Sequence, residues 1–319
     1  MTFFPPRPKG HEQHPWVAAF MEASPYLRVS GMRAEEVGRG RIRLVLPARP
    51  EWLGSVARGW VHTGSLCVLA DTACGFSVGT LQETPAPLVT LDLRMDYLRS
   101  ANGALDLVCD ATCHRLARSV AFVRAEIRQP GCEDLVAYAS ATFMRPASGA
   151  RSPGTKAGPS PALHPIPPEV LAGAAEARQP AIPRGRSPYV DWLGVVQHTV
   201  PGSSPVFRLP YREDLIGNPA LPAVHGGVLG GFAETAMVLH MASAARLPQG
   251  AVPKMIDVSM DYLRQAGPRD TFAQAVAVRQ GNRVSLVQAV LWQDDPQRPV
   301  AVARGHCLMP GLAAGPRGD

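Results

Sequence analysis

Met95-Asp96-Tyr97-Leu98-Arg99 recurs intact as Met260-Asp261-Tyr262-Leu263-Arg264, 165 positions later. Outward from this stretch, other fragments return in the same order. Asp71-Thr72-Ala73 returns as Glu234-Thr235-Ala236, His62-Thr63-Gly64 as His225-Gly226-Gly227, and Ser24-Pro25-Tyr26 as Ser187-Pro188-Tyr189, each 163 positions on. Ordered matches at nearly one offset mark an internal duplication, and a period this long makes each copy a whole domain rather than a solenoid unit. A duplicated domain can pair with its twin as a homodimer does, with pseudo-two-fold symmetry. Every site at that interface then exists twice, and the two versions are free to diverge.

One order of elements repeats within each copy. Residues 16–21 make a short amphipathic start. Arg41-Ile42-Arg43-Leu44-Val45-Leu46 alternates with period two, as a half-buried strand does. A long apolar segment at 64–81 is followed by strand-like runs at 88–98, 104–116, 119–129 and 135–144. In the second copy the apolar segment is 226–245, with strand-like runs at 206–211, 255–263, 271–279, 284–293 and 300–309. One helix and an antiparallel meander per copy is an α+β fold. The Pro-, Gly- and Ser-rich stretch 147–185 reads as a semi-extended linker, in which 169–179 could form a short helix. The expected domains are therefore 15–146 and 186–311.

Composition narrows the function classes. The chain has 319 residues, enough for two ordinary domains, and 46% of them are hydrophobic. It contains no run of the ~18 apolar residues that a membrane span needs. Its N-terminus is polar and proline-rich, without the apolar core of a signal peptide, so a cytoplasmic location is expected. The net charge of +6 is spread out, with no basic run and only 6% aromatic residues, which argues against nucleic-acid binding. Six cysteines, five of them in the first copy, show no metal-type spacing and read as small buried hydrophobes; no metal and no cofactor is expected. His198, His240 and His306 are read as ordinary structural histidines.

The two apolar helices carry the chemistry. Between 63 and 82 the only charged residue is Asp71, and between 226 and 245 the only acidic one is Glu234, at the matching position. A helix apolar on nearly every side is buried, here wrapped by the sheet. A carboxylate in such a helix is costly unless paired, solvated or protonated, which marks both positions as candidate site residues. Gly226-Gly227 opens the second helix, where unobstructed N–H groups and the helix dipole can polarise a carbonyl. Eight residues of helix, roughly 12 Å, separate Gly226 from Glu234, so a helix start cannot serve its own carboxylate. Antiparallel packing of the two helices would bring each start beside the other's carboxylate.

At this point the chain resembles the hotdog-fold acyl-CoA thioesterases, in the branch typified by the phenylacetate-pathway enzyme. The residues that carry the resemblance are His225-Gly226-Gly227 with Glu234-Thr235-Ala236, His62-Thr63-Gly64 with Asp71-Thr72-Ala73, and the strand around Thr90 to Tyr97-Leu98-Arg99. The resemblance implies two tandem hotdog domains, each an antiparallel sheet around a central helix, paired as a pseudo-dimer with sites shared across the interface. It implies hydrolysis of an acyl-CoA to free acid and coenzyme A. One site would join Asp71 and Thr90 to Asn218, His225 and Gly226. The other would join Glu234 to His62 and Thr63, with Ser55 where Asn218 aligns and Met255 where Thr90 aligns. One competent and one degraded site are expected. Arg99, Arg264, Arg118 and Arg283 are candidates for the coenzyme A phosphates. A non-catalytic acyl-CoA-binding module is the alternative, and a hotdog hydratase a further one, although Gly217 replaces the acidic residue of the hydratase motif before Asn218. Beyond acyl-CoA and the intrachain pairing, with further homo-oligomers open, no partner is expected.

Overall fold

The computed structural model describes residues 14–82, 88–145, 182–199, 203–218, 220, 222–245, 247 and 251–310. Residues 1–13, most of the expected linker and its candidate helix at 169–179 lie outside the described residues.

The first copy runs through α1 (Pro15–Ala23), α2 (Pro25–Ser30), β1 (Arg33–Gly38), β2 (Arg41–Leu46), β3 (Leu53–Ser55), β4 (Trp60–Val61), α3 (Thr63–Gly79), β5 (Val89–Tyr97), β6 (Leu107–Leu116), β7 (Val120–Arg128) and β8 (Ala137–Met144). The second runs through α4 (Pro188–Leu193), β9 (Val196–His198), β10 (Val206–Leu209), β11 (Ile216–Asn218), β12 (Ala223–Val224), α5 (Gly226–Ala244), β13 (Lys254–Tyr262), β14 (Thr271–Arg279), β15 (Val284–Trp292) and β16 (Ala301–Leu308). The repeated Ser-Pro-Tyr opens α2 and α4. Ser24 and Ser187 are the N-caps and proline takes the first turn, where its missing N–H costs nothing. Gly31 and Gly194 end these helices at φ +69° and +71°, a conformation that favours glycine.

Twelve strands form one continuous antiparallel sheet in the order β1-β2-β6-β7-β8-β5-β13-β16-β15-β14-β10-β9. Each half has the same internal order, and the halves join where β5 pairs with β13, Arg94 lying opposite Ser259. Those two residues are 165 apart, so the pseudo-two-fold axis passes between them. Helix α3 packs against β2, β5, β6, β7 and β8, and α5 against β13 to β16. The central helices are apolar all round because sheet covers one side and the other helix covers the rest.

Contact between the helices is backbone to backbone. A Cβ on Gly64 would stand 2.7 Å from the Gly231 Cα, and one on Gly227 would stand 2.8 Å from the Val68 N. Contacts that pair 64 with 231 and 68 with 227 run in opposite directions, so α3 and α5 are antiparallel, as the carboxylate spacing requires. Among the described residues no helix is long and apolar enough to cross a membrane.

Candidate active site

His225 caps α5. Its Nδ1 accepts the Gly227 N–H at 3.0 Å, so the ring is set by the helix it starts. The same N–H reaches Asp71 Oδ2 on the antiparallel helix at 2.9 Å. With Nδ1 accepting, the remaining ring proton falls on Nε2, which meets Thr72 Oγ1 at 3.0 Å; Thr72 in turn donates to the Val68 carbonyl. Thr90 donates to Asp71 Oδ1 at 3.0 Å. A β-bulge between Thr90 and Asp92 changes the register of β5 against β8 at this point and re-aims the threonine.

Asp71 Oδ1 thus receives the Thr90 hydroxyl and Oδ2 the Gly227 N–H, with His225 Nδ1 3.3 Å from Oδ2, and Oδ1 keeps lone-pair capacity for another donor. Asp71 is 6% exposed. Beside it, a Cβ on Gly226 would stand 2.8 Å from Oδ2, so only glycine leaves this approach clear. The Gly226 N–H has no acceptor among the described residues, whereas Gly227 N–H is engaged. A carboxylate with spare lone pairs next to an open amide at a helix N-terminus can orient a water and stabilise an oxyanion.

Two family models match in tandem: residues 58–136 match the thioesterase superfamily, and residues 218–308 match the acyl-CoA thioesterase N-terminal domain. The chain is a double hotdog member of the thioesterase superfamily. A candidate esterase of Pseudomonas aeruginosa is 34% identical over 88 residues, which take in 28% of this chain and 64% of that protein. The medium/long-chain acyl-CoA thioesterase YigI of Escherichia coli is 27% identical over 139 residues, 39% of this chain and 88% of that one. The crystal structure of a hotdog-fold protein from Alicyclobacillus acidocaldarius shares the fold of the whole pair. Its TM-score is 0.62 at 15% identity, covering 92% of this chain and 98% of that one.

In this double hotdog thioesterase the second site is built differently. Glu234 is wholly buried. Its Oε2 accepts from the Thr63 hydroxyl and its Oε1 from the Tyr97 hydroxyl, while Cys67 Sγ lies 3.1 Å from Oε1. Burial pushes the Glu234 carboxyl above its ordinary range, and the three donors pull the other way. His62 caps α3 through the Gly64 N–H at 3.0 Å, as His225 caps α5. Among the described residues His62 makes no bond to Thr235 that would match His225 with Thr72. Burial lowers the His62 pKa to about 4. Met255 replaces the Thr90 hydroxyl and packs with Cys307, whose Sγ is 3.2 Å from Met255 Sδ. Cys67 occupies the place that Gly230 holds in the other helix, and the two positions face each other: a Cβ on Gly230 would stand 3.5 Å from the Cys67 Cβ. Through its thiol Cys67 is a polar partner of Glu234 as well as a buried side chain.

Asn218 and Ser55 occupy matching ends of β11 and β3, and each short strand leads through its partner to a capping histidine. Asn218 Oδ1 takes the Ala220 N–H at 3.0 Å, a local turn bond. Arg99 and Arg264 anchor the backbone carbonyls of Asp134 and Pro299, again at matching positions. Arg118 and Arg283 are exposed on the β6–β7 and β14–β15 turns. His306 holds Asp257 at 2.9 Å and so is more than a filler.

The repeated tyrosines have no site role assigned from sequence alone. The structure gives them work. Tyr26 packs on His225 and Tyr189 stacks on His62, each across the domain interface, with ring centroids 5.2 and 4.4 Å apart. Tyr97 reaches Glu234, and Tyr262 donates to the Gly226 carbonyl at 2.9 Å. The signal was present, since both tyrosine pairs lie within the fragments that repeat intact.

Proposed function

We propose that this protein hydrolyses acyl-CoA at one interdomain site built on Asp71, and that the Glu234 cluster is a buried remnant holding the interface together. The observation that carries this reading is the contrast between the two carboxylates. Asp71 keeps lone pairs, some exposure and the open Gly226 amide. Glu234 is sealed by three side-chain donors.

Hydrolysis follows from that geometry. Asp71 takes a proton from water as the water oxygen attacks the thioester carbonyl, with Thr90 fixing the carboxylate. The carbonyl oxygen becomes an oxyanion against the Gly226 N–H at the start of α5. Collapse breaks the carbon–sulfur bond, releasing the carboxylic acid and a thiolate whose conjugate thiol has a pKa of about 8.5, so a strong acid is not required. The proton held by Asp71 goes to the thiolate or to water, and the carboxylate is restored. His225 supports the site by capping α5 and bonding Thr72, and Asn218 stands in the short strand pair that leads to His225.

Sheet register favours Arg118 over Arg283 for coenzyme A phosphates. Thr90, Phe143 and Ala121 are successive partners across β5, β8 and β7, so Ala121 lies about 10 Å from Thr90, and Arg118 stands three residues from Ala121 in the turn on the Asp71 side. Met255, Cys307 and Ser285 are the matching set, and Arg283 lies on the Glu234 side. The reading divides the chain into domains 15–146 and 186–311 joined by 147–185. It needs no oligomer beyond that pair, since one chain supplies both halves of the site. Six free cysteines suit a reducing compartment such as the cytoplasm.

The test is thiol release from a panel of acyl-CoAs from short to long chain, including the medium and long chains on which the Escherichia coli relative is named to act. Saturable binding with no thiol release from any member would replace this reading with the non-catalytic binding module.

A further inference from the structure

Tyr97 and Tyr262 are the same residue of the intact five-residue repeat, yet their hydroxyls have different partners. Tyr97 donates to the Glu234 carboxylate directly. Tyr262 stops one peptide short of Asp71. Its hydroxyl donates to the Gly226 carbonyl at 2.9 Å, and the N–H of the same peptide unit, that of Gly227, donates to Asp71 Oδ2 at 2.9 Å. Carbonyl and N–H belong to one planar, resonance-coupled group.

We propose that Tyr262 is a positioning residue for thioester hydrolysis, acting on Asp71 of the other domain through the Gly226–Gly227 peptide. This inference rests on the assignment of Asp71 as the working carboxylate.

Three features support it. A donor on the carbonyl polarises the amide and strengthens its N–H as a donor, as in any chain of hydrogen bonds at low dielectric. The same bond fixes the plane of the Gly226–Gly227 peptide in the first turn of α5, and with it the direction of the Gly227 N–H towards Asp71. Finally, burial and the nearby Asp71 charge keep the Tyr262 phenol protonated, far above its ordinary range, so it remains a donor. In the other half the tyrosine cannot act this way. The longer Glu234 side chain reaches the phenol itself, and the Thr63 hydroxyl takes its second oxygen.

Two measurements on full-length protein test the proposal. Steady-state thiol release should show Tyr262→Phe lowering kcat about tenfold with KM nearly unchanged, because only the transition-state geometry is disturbed. The mirror variant Tyr97→Phe should leave kcat unchanged and lower the melting temperature. Independently of turnover, the Gly227 amide proton resonance should move upfield in Tyr262→Phe as its hydrogen bond weakens. A normal kcat in Tyr262→Phe, or an unmoved Gly227 resonance, overturns the proposal. Asp71→Asn separates the two layers of inference. If that variant is inactive while Tyr262→Phe is normal, the positioning role alone fails. If Asp71→Asn turns over normally, the site assignment fails and the positioning role with it.

Discussion

Asp71 accepts the Gly227 amide hydrogen at 2.9 Å from 156 positions away in the chain, and that bond joins the two domains at the candidate site. Asparagine at 71 keeps an acceptor for Gly227 but loses the charge that takes a proton from water. Asp71→Asn should lower kcat at least ~10²-fold with little change in melting temperature. Paired assays of thiol release and thermal unfolding check this; near-normal turnover would remove Asp71 from the mechanism.

Glu234→Gln should do the reverse. Glutamine presents an amide N–H₂ to a hydroxyl or thiol that now donates, and an unsatisfied buried group costs about 1–3 kcal/mol. The melting temperature should fall by several degrees while kcat stays close to that of the parent protein. Equal losses of turnover in Glu234→Gln and Asp71→Asn would mean that both sites work.

His62 supplies a pH signature. Its folded pKa of about 4 lies below the ordinary 6.5, so between these values the unfolded chain binds more protons than the folded one. The stability contribution is complete above pH 6.5 and is lost as pH falls towards 4. His62→Asn keeps an N-capping side chain without the titration. Its melting temperature should therefore fall less steeply over that window than the parent's, which scanning calorimetry at stepped pH would reveal.

Gly227→Ala tests the closeness of the helices. The new Cβ would stand 2.8 Å from the Val68 N and 2.9 Å from the Cys67 carbonyl oxygen, both main-chain atoms. Main chain gives way less easily than a flexible side chain, and a loss of about 3 kcal/mol is expected. Gly75→Ala is the control, since its Cβ would meet only Phe143 at an ordinary 3.5 Å and alanine favours helix. Denaturant unfolding should place the two variants on opposite sides of the parent.

Arg118→Ala should raise KM for acyl-CoA several-fold with kcat retained, because a phosphate contact binds ground and transition states alike. Arg283→Ala should leave KM unchanged. A KM effect confined to Arg283→Ala would put the coenzyme at the Glu234 end.

Much of the architecture follows from sequence because its signals are local or repeated. The period-two run at 41–46 became β2, the apolar segments became α3 and α5, and the lone carboxylate of each helix lies against the opposite helix. Eight residues between helix start and carboxylate were enough to require antiparallel helices, since rise per residue is a constant of the helix. Sequence alone could not decide what each carboxylate touches. Glu234 differs from Asp71 by one methylene, and Cys67 from Gly230 by one side chain. Only packing shows that these changes draw Thr63, Tyr97 and Cys67 onto a single carboxylate and close it off. The different work of Tyr97 and Tyr262 is likewise invisible in two identical pentapeptides. A hydrogen bond depends on where the partner lies in space, and here the partners are set by the opposite domain.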